Sequence, residues 1–248
     1  MRRVDRRFEF HALRCRQCDD NPRPRVVNPG AGEAGHDGVM ADALLFDLDR
    51  TLVDIQSFTD YGSARREAAA LVEGFGDVAV PATDWSADTV AAMSLLVACS
   101  GDPRWAQVSA AIERHELSAV PSSAPMPGLH EAWARTADLP RAVVTLVPEV
   151  VARAALAWHG VDCAGVVVIG RRADQRPKPA PDGVLAACLA LGVAPGRAVM
   201  MGDSLWDLEA AGAAGTAFVG VPTRVGSMPS DAIVALDLLA AVDLALRM

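Results

Sequence analysis

Asp47, Asp49, Thr145, Lys178, Asp203 and Asp207 are the residues whose types could do chemistry together, although they lie far apart in the chain. Each stands at or beyond the end of an apolar run. Asp47-Leu48-Asp49-Arg50-Thr51 follows Ala43-Leu44-Leu45-Phe46, and Thr145 follows Arg141-Ala142-Val143-Val144. Gly202-Asp203-Ser204-Leu205-Trp206-Asp207 follows Ala198-Val199-Met200-Met201, and Lys178-Pro179-Ala180-Pro181 comes one loop after a further apolar run. Open α/β sheets place their ligands beyond the carboxyl ends of strands. Gathered at one sheet edge, these segments supply a nucleophilic carboxylate, a second acid, a hydroxyl, an ammonium and metal-binding carboxylates, a set suited to phosphoryl transfer. Three or four carboxylates and a phosphate share a pocket only when positive charge offsets them, so the set requires a cation. Mg²⁺ suits it, because it prefers oxygen ligands and keeps waters.

The elements that must position these residues alternate from residue 40 onward. Leu44 to Asp47 is a continuous apolar run ending in acid, as in a central parallel strand. The spacing predicts further strands ending at Thr145 and over 166–169, 198–201 and 216–221, with 233–236 as a candidate edge strand. Helices are expected from Pro127-Gly128, from Pro148-Glu149 to Gly160, over 181–191 and over 207–214. Strands alternating with helices of this length predict an α/β fold, a Rossmann-like, mainly parallel sheet with helices on both faces. Residues 56–126 break the alternation: 63–74, 87–99 and 104–117 have helical spacing and read as an inserted α-helical cap domain. The core domain is then 40–55 and 127–248. Its junction with the insertion, Ser122 to Gly128, is a plausible hinge.

Composition narrows the class. A chain of 248 residues with 51% hydrophobic residues can bury a full core and argues against global disorder. No apolar run reaches the roughly 20 residues needed to span a bilayer, so no membrane partner is expected. A net charge of -8 gives no reason to expect nucleic acid. Five cysteines without a regular framework fit a reducing, cytoplasmic setting. Residues 1–39 hold eight arginines and a Pro/Gly-rich stretch without periodicity, and are expected to be disordered, with Met40 as the candidate natural start. Cys15 and Cys18 lack a second ligand pair for zinc. Taken singly, Asp203 or Asp207 reads as a helix cap and Lys178 as a surface lysine beside a rigid proline pair; the order of all four segments argues for the joint reading. The five histidines fall at no ligand spacing and read as surface or cap residues, and Trp85 and Trp105 as packing within the insertion.

Asp-x-Asp-x-Thr after a strand, an isolated strand-end Thr, Lys-Pro-x-Pro and Gly-Asp-Ser-x-x-Asp resemble the four motifs of the haloacid dehalogenase-like hydrolase superfamily. The helical insertion between the first two is similar to its cap of the first type, as in the branch of phosphoglycolate phosphatase and β-phosphoglucomutase. The resemblance covers about residues 41 to 221. It implies that Asp47 is the nucleophile, forming an aspartyl phosphate that water hydrolyses, and that Asp49 protonates the leaving group and then activates the water. It further implies Mg²⁺ ligation by the Asp47 carboxylate, the Asp49 backbone carbonyl and Asp203, with Asp207 holding a metal-bound water or Lys178. Lys178 and Thr145 would hold the phosphoryl oxygens.

Two positions depart from the family pattern. Arg50 stands where Gly is most common and is expected at the site mouth with ordinary dihedrals, and Leu146 replaces a frequent polar residue. The implied activity is that of a phosphatase of a small phosphorylated metabolite, acting as a monomer or homodimer. A phosphomutase is the nearest alternative, and a non-catalytic binding module the most distant. Asp49 argues against haloalkanoate dehalogenation, which needs no proton donor. Arg65, Arg66 and Arg104 are candidates for substrate selection.

Overall fold

The computed structural model describes residues 41–78, 87–221 and 228–248; the expectations for the first 39 residues, Met40, Cys15, Cys18 and Trp85 lie outside them. Its strands are β1 (Ala43–Phe46), β2 (Val53–Asp54), β3 (Ala124–Pro125), β4 (Arg141–Val144), β5 (Val167–Ile169), β6 (Ala198–Gly202) and β7 (Ala217–Gly220). Its α-helices are α1 (Tyr61–Phe75), α2 (Asp88–Ala98), α3 (Trp105–Ala119), α4 (Leu129–Arg135), α5 (Glu149–Trp158), α6 (Asp182–Leu191), α7 (Leu205–Ala214) and α8 (Leu238–Ala245).

Five strands form a parallel sheet in the order β5-β4-β1-β6-β7. The chain builds outward from β1 through β4 to β5, then crosses back to lay β6 on the other side of β1. Strand order therefore reverses between β1 and β6, which makes their carboxyl ends the crevice of the fold. The period of two splits β1 between two cores. Leu44 and Phe46 pack with α4, α5 and α8, whereas Ala43 and Leu45 pack with α6 and α7. Leu44, Leu45 and Phe46 are fully buried, each contributing about 1.5–3 kcal/mol relative to exposure. That burial on both faces fixes the strand that carries Asp47.

Between β2 and β3 the chain makes α1, α2 and α3, which bury Ala64, Ala68, Val72, Ala92, Leu96, Val108 and Ile112 in a cluster of their own. From the sheet side, Leu146 and Trp206 pack against that cluster. β2 and β3 pair antiparallel, Val53 with Pro125 and Asp54 with Ala124, clamping the two crossings of the chain together. Strands of two residues leave no period in the sequence, so the clamp was not expected. Residues 233–236 do not form the expected edge strand: Val234 makes one parallel bridge to Gly220, squeezed between the turn at Pro229–Ala232 and the Asp237 cap of α8. No described helix is long and apolar enough to cross a membrane.

Candidate active site

Backbone ladders carry the site residues past the strand ends. The Asp47 amide donates to Met201 O at 2.8 Å, continuing the β1–β6 ladder, and the Thr145 amide donates to Ile169 O at 2.9 Å, continuing β4–β5. After Asp47 the chain turns sharply, because the amides of Thr51, Leu52 and Val53 all reach Leu48 O and the Arg50 amide reaches Val53 O. This closure puts Arg50 at φ 62, in the left-handed region. The expectation of ordinary dihedrals at Arg50 is thus corrected: the geometry of the turn overrides the side chain, at a cost of about 1–2 kcal/mol. The same turn returns Ile55 and Gln56 beneath Asp49, whose Oδ1 accepts their amides at 2.9 and 3.0 Å.

Lys178 is the centre of charge. Its Nζ donates to Asp47 Oδ1 at 2.6 Å, to Asp207 Oδ1 and to Val144 O at 3.1 Å, which uses all three of its donors. The other Asp47 oxygen accepts the Thr51 hydroxyl at 3.3 Å, and Asp207 Oδ2 accepts the amide and hydroxyl of Ser204. Asp207 is therefore committed at both oxygens, to Lys178 on one side and to the capping box of α7 on the other. Gly202 makes this possible: a Cβ there would stand 2.5 Å from Asp207 Cγ.

Carboxylate oxygens of Asp47, Asp203 and Asp207 lie within 4.8 Å of one another. An octahedral ion with oxygen ligands at about 2.1 Å spans about 4.2 Å between opposite ligands. Oxygens gathered within the 4.8 Å limit can share one small divalent cation, and they are hard donors of the type Mg²⁺ prefers. The Asp49 carboxylate stands outside this group, turned toward the Ile55 and Gln56 amides.

Electrostatics agree with the need for a cation. Burial, reinforced by the charge of Asp207 and only partly opposed by Lys178, pushes Asp47 up to about 8. Burial pushes Asp49 up to about 7 against the two amides that favour its charge. Asp203 is likewise pushed up to about 7 by burial and then by Asp207 and Asp49. Burial opposes the charge on Lys178, yet Asp207 and Asp47 together hold its pKa above the ordinary lysine range. The ammonium is permanent, while Asp47, Asp49 and Asp203 are reluctant to ionise without more positive charge.

Thr145 is buried, and its Oγ1 accepts the Val147 amide at 3.3 Å. A cleft of ≈ 530 Å³, counting its open mouth, runs from Thr145 and Lys178 to Met93, Leu96 and Trp105 of the inserted helices. Trp105 thus both packs in the insertion and lines the cleft. The candidates for substrate selection do not line it. Arg65 pairs with Asp88, Arg66 donates to Ser63, and Arg104 pairs with Asp102 and Asp77. Among the described histidines, His115 meets Glu67, and His159 caps α5 and meets Ser123.

Two contributors were not expected from the sequence: Ser204, the second anchor of Asp207, and Gly170, where a Cβ would stand 2.3 Å from the Glu149 amide nitrogen. Ser204, three residues before an acid at a strand-to-helix turn, carried a readable capping signal. A close backbone approach such as that at Gly170 leaves none.

A family model described as haloacid dehalogenase-like hydrolase matches residues 41–215. No curated protein sequence matches the chain. Among similar solved structures is CbbY from Rhodobacter sphaeroides in complex with phosphate, with 22% identity, TM-score 0.61, and coverage of 82% of this chain and 100% of that one. A hydrolase of the same family from Deinococcus radiodurans R1, with bound phosphate and sodium, has 21% identity and TM-score 0.51 and covers 83% of this chain and 94% of its own. A protein assigned to the β-phosphoglucomutases, from Thermotoga maritima, has 20% identity and TM-score 0.55 and covers 82% and 97%. These likenesses establish the fold, and the match over 41–215 establishes the family: the chain belongs to the haloacid dehalogenase-like hydrolases.

Proposed function

We propose that the protein is a Mg²⁺-dependent phosphatase that removes phosphate from a small phosphorylated metabolite. The observation that carries this reading is the convergence on Lys178 of Asp47 and Asp207, with Asp203 within ion-sharing distance. The Rhodobacter and Deinococcus proteins bound to phosphate support it.

Asp47 attacks phosphorus, the ester oxygen departs, and an aspartyl phosphate forms on Asp47. Lys178 keeps the attacking carboxylate oriented and offers its charge to the phosphoryl oxygens, while the Thr145 hydroxyl holds one of those oxygens. Asp49 delivers its proton to the leaving oxygen and then takes one from the water that cleaves the intermediate. A carboxyl pushed up to about 7 suits both roles near neutrality. Asp47, Asp203 and the Asp49 backbone carbonyl would hold Mg²⁺, which when bound supplies the positive charge that favours ionised Asp47 and offsets the incoming phosphate. Asp207 fixes Lys178. The inserted helices α1 to α3 serve as the cap that covers the cleft and excludes water from it.

The test is a screen of phosphorylated metabolites for phosphate release in Mg²⁺, with Asp47→Asn and excess chelator as controls. Release by the native protein alone, lost in both controls, is the expected result. No release from any ester in Mg²⁺ overturns the reading, and turnover that requires a bisphosphate assigns a phosphomutase instead.

A further inference from the structure

Arg171 follows β5 with no role in the chemistry above, yet its side chain is 2% exposed and meets the fully buried Glu116 of α3 through two parallel bonds of 2.9 and 3.0 Å. Burying a guanidinium and a carboxylate is unfavourable unless their remaining polar atoms are satisfied. Here they are. Tyr61 Oη donates to Glu116 at 3.1 Å, Arg171 Nε donates to Ser109 Oγ at 3.2 Å, and Arg171 Nη1 donates to Leu146 O at 3.1 Å. The bonds to Glu116 and Ser109 cross from α3 to Arg171, and the bond to Leu146 O carries the network on to the residue after Thr145.

Leu146 O and the Val147 amide belong to one planar peptide unit. Arg171 holds its oxygen end, while its N–H end donates to Thr145 Oγ1 at 3.3 Å. The Arg171 amide also donates to Val147 O at 3.0 Å, an approach permitted because Gly170 has no Cβ. Pulling on the carbonyl polarises the peptide and strengthens its N–H as a donor. A hydroxyl that accepts this N–H keeps its own O–H free to donate elsewhere, and Thr145 lines the cleft. Leu146 completes the coupling by placing its side chain against the apolar cluster of α1 to α3.

We infer that Arg171, anchored by Glu116 and Tyr61, is a positioning residue that keeps the Thr145 hydroxyl a donor toward the phosphoryl group, so that the seating of the inserted helices sets the core's own phosphate-binding donor. This rests on the phosphatase reading for its catalytic consequence, but not for the linkage itself. Removing Arg171 alone would strand Glu116 in the interior, so the test replaces the network together, in Tyr61→Phe/Glu116→Leu/Arg171→Met, which keeps the volume apolar and the protein folded.

Hydrogen exchange at the Val147 amide reads the linkage without any turnover. It should quicken about five- to tenfold in the triple variant, the loss expected for one hydrogen bond. Unchanged exchange there overturns the inference. With p-nitrophenyl phosphate and Mg²⁺, the triple variant should lose about tenfold in kcat, the scale of one misplaced donor, with KM little changed. In a Thr145→Val background it should lose nothing further. An equal loss in both backgrounds shows an effect that bypasses Thr145 and overturns the inference. A native protein that turns over no ester would sink the phosphatase reading, while Val147 exchange would still decide the linkage.

Discussion

Removing divalent cations should make this protein less stable as pH rises, the reverse of ordinary acid sensitivity. The folded chain holds Asp49 near 7, Asp203 near 7 and Asp47 near 8, whereas the same groups in the unfolded chain titrate near 3.8. The folded state therefore binds more protons above pH 4, so its stability is fullest below that, drains steadily as pH rises, and levels off once pH has passed the folded values of about 7 and 8. Asp49 alone, held at about 7 where the unfolded chain has 3.8, amounts to about 4 kcal/mol over the whole window. Between pH 5 and pH 8 about 2–3 kcal/mol of that is lost, which for a chain of this size is a fall of about 5–10 °C in Tm. Asp47 and Asp203 interact with each other and with Lys178, so their shares overlap rather than add. Scanning calorimetry in excess chelator from about pH 5 to pH 8 should show the fall, and millimolar Mg²⁺ should abolish most of it, because binding favours the ionised carboxylates. Asp49→Asn should flatten the chelator curve. A Tm that is level or rising across this range in chelator, or one whose slope ignores Mg²⁺, refutes the idea that crowded acids await a cation.

Other outcomes follow from single contacts. Arg50→Gly should raise Tm by about 1–4 °C, since relief of about 1–2 kcal/mol of left-handed strain exceeds the entropy that glycine adds to the unfolded chain; a lower Tm would mean that the arginine side chain holds the turn. Gly202→Ala should destabilise by about 1–3 kcal/mol in denaturant titration, because its Cβ falls 2.5 Å from Asp207 Cγ, and should cut activity by displacing Lys178. Full activity would show that the Asp207–Lys178 bond is dispensable. Asp49→Asn should slow alkyl phosphates by about 10²–10⁴-fold and aryl phosphates far less, whose leaving groups need little protonation; equal losses would remove Asp49 from the acid's role.

Much of the sheet was legible because a buried parallel strand is a continuous apolar run, and the strands Ala43–Phe46 and Ala198–Gly202 are each followed directly by an acid. The six expected site residues were singled out by strand ends and turn chemistry, both local signals, and the fold brings Asp47, Lys178, Asp203 and Asp207 together. What stayed hidden is non-local. The β2–β3 clamp depends on two pairs of residues meeting from far apart in the chain, Val53 with Pro125 and Asp54 with Ala124, and the left-handed Arg50 on hydrogen bonds that close only once β2 is in place. Arg171 sits beside Arg172 and near Arg176 in the sequence, and nothing in that run marks which guanidinium is buried against Glu116. The arginines of the insertion misled for the same reason: Arg104 looked available to a substrate and is engaged by Asp77 and Asp102.

The most direct test of the central claim, that Asp47 takes the phosphoryl group onto its own carboxylate, is to quench the enzyme during turnover and reduce it with tritiated borohydride. An aspartyl phosphate is converted by this treatment to labelled homoserine, which peptide mass spectrometry can place. Label is expected at position 47 alone, and only when both Mg²⁺ and a hydrolysable phosphate ester are present. Turnover with no label at that position, or with label on another carboxylate, would contradict it.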